Sequence, residues 1–232
     1  MENIIIEENN IDSAFLKWFE LIENENKEVK ESRDGEVIAE ILNAITVIHD
    51  PTRCIMKNKI RKMPIRYAIG ELLWYLSGNS SLKGIQNYTQ AWDRMSDNGL
   101  TVNSNYGYCI MEKFGFNQLE EIEEELRKNP DTRRAVLHIK YPYKGELNSK
   151  DVNCTVYLQF FIRDGKLILH THMRSNDLWM GFPYDVFQFT CLQIMMAMRL
   201  NLEIGDYVHI ADSLHMYKRD YEVAIENERN LK

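Results

Sequence analysis

Several groups of residues have the types and spacing to do chemistry. Cys154 lies in DVNCTVYLQF, a predicted strand with apolar neighbours. A cysteine in that setting is either a small buried hydrophobe or a nucleophile, and the second role needs a cation or helix end to lower the thiol pKa. Arg174, at the end of the adjacent predicted strand, is the available cation. Residues 174–185, RSNDLWMGFPYD, set an arginine, a serine, an asparagine and the carboxyls of Asp177 and Asp185 among Trp179, Met180, Phe182 and Tyr184. A solvated loop does not need such rings; polar groups interleaved with them suit a pocket that stacks a flat ring and reads its edge. Arg133-Arg134, in NPDTRRAVLH, is surface charge or a bidentate phosphate clamp, and Arg33 in ESRDGE is a basic group that could join it. His215 and Tyr217, two apart on an extended segment, point the same way and either meet a sugar hydroxyl or form a satisfied core pair.

The elements that must position these groups are legible as patterns. Residues 12–24 carry Phe15, Trp18, Phe19, Leu21 and Ile22 at helical spacing behind Asp12 as the expected cap. A helix is predicted over 64–76, ended by Ser77-Gly78-Asn79. An exposed amphipathic helix is predicted over 117–128, and a central buried one over 184–200, where the sequence is apolar nearly all round. Strands are predicted over 135–141, 152–162, 166–173 and 206–211, with Arg163-Asp164-Gly165 as a hairpin turn. Mixed helices and hairpins indicate an α+β fold on a mixed or antiparallel sheet.

The chain has 232 residues, no repeat and no linker-like tract, and reads as a single domain over 1–232. A net charge of −7 argues against nonspecific binding to nucleic acid or anionic membrane, so an anionic ligand needs a local basic cluster. Cys54, Cys109, Cys154 and Cys191 form no C-x-x-C pair, which argues against a metal site and a disulfide framework. The N-terminal MENIIIEENN lacks the pattern of a signal peptide, and the apolar stretch over 191–200 is too short to span a membrane. A reducing, cytoplasmic setting is expected.

Taken in order, SRDGE, GELLWYLSG, AWDRMSDNG, NYG, NPDTRR, NC, LQFFIRDGKL, RSNDLWMGFPYD and LEIGDYVHIADSLHMY resemble thymidylate synthases across almost the whole chain. The resemblance implies that family's fold: helices around a long buried helix, and a sheet that forms a homodimer interface. It implies a pyrimidine nucleoside monophosphate as substrate, 5,10-methylenetetrahydrofolate as co-substrate and no metal. Cys154 matches the nucleophile that adds to ring carbon 6, Glu71 the carboxylate that organises water and proton transfers, and Tyr106 the tyrosine of the family's YG element. Arg33, Arg174 and Ser175 match phosphate ligands, with Arg174 also against the thiol, which favours thiolate. Arg133 and Arg134 match the pair supplied across the dimer interface. His215 and Tyr217 match the sugar-hydroxyl ligands, and Trp92, Asp177, Gly181 and Tyr184 match folate-site positions.

The sequence departs from that pattern in ways that bear on the reaction. Asp185 stands where synthases carry the asparagine that reads uracil; a carboxyl can accept from cytosine's amine and, protonated, donate to its ring nitrogen, as deoxycytidylate hydroxymethylases are expected to require. Thr155 replaces a histidine of the water network near the uracil carbonyl, and Met95 replaces a folate-side tryptophan. The sequence ends at ENERNLK without the family's apolar closing tail, so a looser lid and capture of water, giving a hydroxymethyl product, are expected. The expected reaction is hydroxymethylation of dCMP, as in modified-DNA synthesis in bacteriophages. The alternatives are a thymidylate synthase acting on dUMP, a CMP hydroxymethylase, a dCMP methylase, and a catalytically silent nucleotide- or RNA-binding homologue.

Overall fold

The computed structural model describes residues 4–24, 30–31 and 36–229. Its frame is a mixed sheet. Strand β1 (Ile4–Glu8) runs parallel to β3 (Val37–Ile48), which pairs antiparallel with β8 (Glu203–Tyr217). On its other side β8 runs parallel to β6 (Lys166–Met173); β5 (Thr155–Arg163) and β4 (Val136–His138) follow, each antiparallel to its neighbour. Two short strands complete it, β2 (Lys30–Glu31) on β3 and β7 (Asn176–Asp177) on β8. The β5–β6 hairpin closes as predicted: Asp164 and Gly165 both have positive φ, +52° and +75°, as a tight two-residue turn demands.

Helices cover one face of this sheet. Helix α1 (Ile11–Asn24) packs on β1 and β3, and its N-terminus corrects the expected cap. Asn10, not Asp12, accepts from the Ser13 backbone N–H at 3.0 Å, while Asp12 turns away to accept from the backbone N–H groups of Lys57 and Asn58 at 2.7 Å. Helix α2 (Ile65–Leu76) meets α3 (Tyr106–Met111) so closely that a Cβ on Gly107 would lie 1.7 Å from the Tyr75 carbonyl oxygen. Helix α4 (Gln118–Lys128) lies outside α3, capped by Asn117 and burying Leu119, Ile122 and Leu126. Helix α5 (Phe182–Leu200) is the central one, with Phe182, Val186, Phe187 and Phe189 buried; its C-terminus stops at Asn201 in the left-handed region. Helix α6 (Lys218–Arg229) follows β8 directly.

The predicted strand over 135–141 shrinks to three residues, because beyond His138 the chain leaves the β5 ladder. The strand predicted over 206–211 instead runs fifteen residues, since β3 supplies partners on one side and β6 then β7 on the other. That length carries His215 and Tyr217 from the core to the rim of the sheet. Among the described residues no helix is long and apolar enough to cross a membrane, and no cluster of His, Cys, Asp and Glu could hold a metal ion.

Candidate active site

A cavity of about 660 Å³ opens where α2, α3, the N-terminus of α5 and the ends of β7 and β8 converge. Its wall includes Cys154 just before β5, Glu71 on α2, Tyr106 at the start of α3, and Asp185 in the first turn of α5. Arg174, Ser175, His215 and Tyr217 line it, as do Trp92, Asp177, Gly181 and Tyr184. Arg133 and Arg134 do not; they flank a separate polar hollow after α4. Arg33 lies outside the described residues.

At the carboxylate end, Glu71 is buried with both oxygens bonded. Glu71 is 4% exposed; its Oε1 accepts from the Tyr67 hydroxyl at 2.6 Å and its Oε2 from Gln188 Nε2 at 3.0 Å. Tyr67 in turn accepts from Trp92 Nε1 at 3.1 Å, so the ring expected at the folate side is tied to the carboxylate. Burial pushes Glu71 up to about 7 against those two hydrogen bonds, a value suited to proton transfer near neutrality. Burial pushes Asp185 further, to about 8, helped by the neighbouring Glu71 charge and opposed by the Asn176 amide that donates to its Oδ2 at 2.8 Å. Both are therefore mainly protonated below those values.

Cys154 corrects one expectation. Arg174 Nη2 does approach its sulfur, at 3.6 Å, and lowers the thiol pKa. Burial outweighs it, and with Asp185, Asp151 and Asp177 nearby the thiol is pushed up to about 11. One arginine is insufficient to make a thiolate there, and that arginine is also committed elsewhere. Arg174 Nε donates to the Asn153 carbonyl at 3.0 Å and Nη2 to that of Val152 at 2.7 Å.

At the other rim, the hydroxyl of Ser175 lies 3.4 Å from His215 Nδ1, and the His215 and Tyr217 rings meet edge to face. Asp177 uses Oδ1 to accept from the backbone N–H groups of Trp179 and Met180, at 2.8 and 2.9 Å, which folds the loop that leads into α5. Thr155 is completely buried and takes no place in the cavity lining.

The profile of the thymidylate synthase family matches residues 13–230. The chain belongs to the thymidylate synthase family. It is similar to the deoxyuridylate hydroxymethyltransferase of Bacillus phage SP01, 34% identical over 204 residues, which is 82% of this chain and 53% of that protein. The chain thus spans about half the length of that relative. The thermostable thymidylate synthase A of Bacillus subtilis has the same fold, with a TM-score of 0.76 at 23% identity over 94% of this chain and 84% of that one.

Within this thymidylate synthase fold, several residues matter that the sequence did not single out. Tyr67 and Gln188 hold Glu71, and the helical spacing of Tyr67 and Glu71 was the available signal. Asn176 and His209 stand behind Asp185; the asparagine is part of the 174–185 run, but nothing local marks His209, which reaches it only through the pairing of β7 and β6 with β8. Arg61 donates to the Trp179 carbonyl at 2.9 Å and lies 5.2 and 5.7 Å from the Trp179 and Tyr184 rings, bracing the loop from outside.

Proposed function

We propose that this protein transfers a one-carbon unit from 5,10-methylenetetrahydrofolate to carbon 5 of dCMP and, with water, forms 5-hydroxymethyl-dCMP and tetrahydrofolate. The observation that carries the reading is the buried cavity that brings Cys154, Glu71 and Asp185 together. The Cys154 sulfur forms a bond to ring carbon 6, which makes carbon 5 nucleophilic. The folate supplies carbon at the formaldehyde oxidation level, so no hydride is spent. Carbon 5 takes that carbon and gives up its proton, the bond from the carbon to the folate nitrogen breaks to release tetrahydrofolate, water adds to the resulting exocyclic methylene, and the sulfur leaves carbon 6. Glu71, poised near neutrality, moves the protons. Asp185 meets the amine and ring nitrogen of cytosine.

The aromatic side of the cavity, Trp92 and Tyr184 with Met95 and Met180, suits a flat pterin. Met95 is 38% exposed, and a flexible side chain where the family has tryptophan gives water a way in. Similarity to a hydroxymethyltransferase supports that outcome over a methyl product.

In one chain the phosphate end has Arg174 and Ser175 in the lining and no second arginine among the described residues. A dianionic phosphate asks for more. We place Arg133 and Arg134 of a second copy there, in a homodimer formed through the uncovered sheet face. Ile45 pairs with Ile210 and Val47 with Val208 across that half-exposed face.

A second reading, dUMP as substrate, is favoured by the deoxyuridylate specificity in the phage relative's name. The deciding experiment incubates purified protein with methylenetetrahydrofolate and dCMP, CMP or dUMP, and identifies products by mass. Formation of 5-hydroxymethyl-dCMP and tetrahydrofolate is expected; dTMP with dihydrofolate sinks the reading. In the same assay Asp185→Asn moves preference toward dUMP by about tenfold or more, and an unchanged ratio removes Asp185 from base recognition.

A further inference from the structure

A neutral carboxyl can serve either pyrimidine, depending on which oxygen carries its hydrogen. With a donor toward the ring nitrogen and an acceptor toward the exocyclic group it fits cytosine; with the two exchanged it fits uracil. Base choice at Asp185 therefore needs a second device that fixes the hydrogen.

Behind Asp185 lies a line of buried polar groups with no role in the steps above. Asn176, on β7, is 2% exposed and His209, on β8, is 1% exposed. Asn176 Nδ2 donates to Asp185 Oδ2 at 2.8 Å, while its Oδ1 lies 3.0 Å from His209 Nε2. His209 Nδ1 lies 2.8 Å from the hydroxyl of Tyr207, which is completely buried. Burial pushes His209 down to about 3, so its ring is neutral, with one donor and one acceptor nitrogen. Asn176 presents an acceptor to Nε2, so Nε2 carries the hydrogen. Nδ1 is then bare and accepts from Tyr207. The bonds run one way, Tyr207 to His209 to Asn176 to Asp185.

The line is packed to stay in place. The Phe182 ring meets His209 edge to face at 5.4 Å. A Cβ on Gly181 would stand 3.0 Å from Asn176 Nδ2 and 3.2 Å from Asp185 Oδ2, so only a residue without a side chain leaves that bond undisturbed. Other ionisable groups acting on Asp185 come from every side: Glu71 and Tyr75 on α2, Tyr106 on α3, Cys154 before β5, Asp177 on β7 and Tyr207 on β8. Among the described residues Asn176 is the one side chain that hydrogen-bonds Asp185, and it does so at Oδ2, so the relay distinguishes the two oxygens.

We infer that Tyr207, His209 and Asn176 form a one-directional hydrogen-bond relay that holds Asp185 Oδ2 as an acceptor and confines the carboxyl hydrogen to Oδ1, making Asn176 and His209 positioning residues for base specificity. The inference rests on the proposed role of Asp185 in reading the base, and it deepens that role. An amide whose ends are told apart by a neutral imidazole cannot turn over unless the imidazole changes tautomer as well. Loss of the relay frees the hydrogen to sit on either oxygen, and the carboxyl then accommodates both bases.

Two measurements test it. In the unaltered, ligand-free protein, nitrogen-15 NMR of the His209 ring reads the tautomer directly; hydrogen on Nε2 is expected, and hydrogen on Nδ1 overturns the relay. This readout does not depend on which nucleotide is turned over. In the kinetic arm, the ratio of kcat/KM for dCMP to that for dUMP is compared across variants. Asn176→Ala and His209→Leu are expected to move the ratio toward unity by about tenfold, the scale of one mispaired buried hydrogen bond. His209→Gln, which keeps an N–H toward Asn176, is expected to restore most of it. Equal losses for both nucleotides, with the ratio unchanged, would mean that these residues only support the fold. Which base the unaltered enzyme prefers tests the dCMP assignment; the change in ratio on substitution tests the relay.

Discussion

The two ends of the cavity are built differently. At the base end, the buried Glu71 and the half-buried Asp185 are bonded within one chain, each against an amide, and their protons are held into the neutral range. At the phosphate end, Arg174 spends its donors on the Asn153 and Val152 carbonyls, Arg133 and Arg134 lie elsewhere, and the thiol between the two ends stays protonated up to about 11. The base end is held in place by its own hydrogen bonds, as the proposed recognition and proton transfer require. In the proposed dimer the phosphate end gains positive charge from Arg133 and Arg134 of the second copy, and the same charge would bring the Cys154 thiol down.

That contrast is broken most severely by dividing the site between protomers. Cys154→Ala and the double variant Arg133→Ala, Arg134→Ala are each expected to lose activity, the former by about 10⁴-fold or more. Equal mixing followed by subunit exchange should return up to about a quarter of the intact activity, because half the dimers carry one complete site. No recovery on exchange places those arginines outside the partner's site. At the base end, Glu71→Gln is expected to lower kcat by about 10²-fold or more and to erase the inflection near pH 7 in the kcat/KM profile, which reports the free enzyme. An inflection that survives belongs to another group.

The smallest effect is on stability. Asp185 and Glu71 keep their protons to about 8 and 7 when folded and lose them near 3.8 and 4.5 in the ordinary state. The folded chain thus binds more protons than the unfolded one between those limits, and stability falls as pH rises through that window. Asp185→Asn removes one of these groups while leaving an acceptor for Asn176. It should melt higher than the parent by on the order of 5 °C at about pH 9, with the two converging near pH 4. Parallel melting curves across that range would show that Asp185 is not held protonated.

Much of this was legible because it is local. The hairpin at Asp164-Gly165, the amphipathic face of α4 and the apolar run of α5 follow from residues close in sequence. So did the run from Arg174 to Asp185, where one short stretch carries much of the cavity wall. What escaped is what the sheet assembles. β3 is nearly continuous in apolar and small residues, yet Glu40 and Asn43 interrupt its alternation, and only its pairing with β8 shows that the strand runs on through them. Asp212 and Ser213 likewise hide the second half of β8. The Asn176–His209 contact joins residues 33 apart, and the ionisation of Cys154 depends on burial and on Asp177 and Asp185 from another segment, beside its near neighbour Asp151. Spacing alone suggested the cation and could not weigh it against its surroundings.

The central claim is that Cys154 bonds to carbon 6 of a cytosine nucleotide while folate delivers carbon to carbon 5. A fluorine at carbon 5 cannot leave as the proton does, so 5-fluoro-dCMP with methylenetetrahydrofolate should halt with protein, nucleotide and folate joined. Mass spectrometry of the digested protein should find that adduct on the peptide containing Cys154, and none on the Cys154→Ala variant. An adduct that forms with 5-fluoro-dUMP and not with 5-fluoro-dCMP, or one carried by another cysteine, would contradict the account.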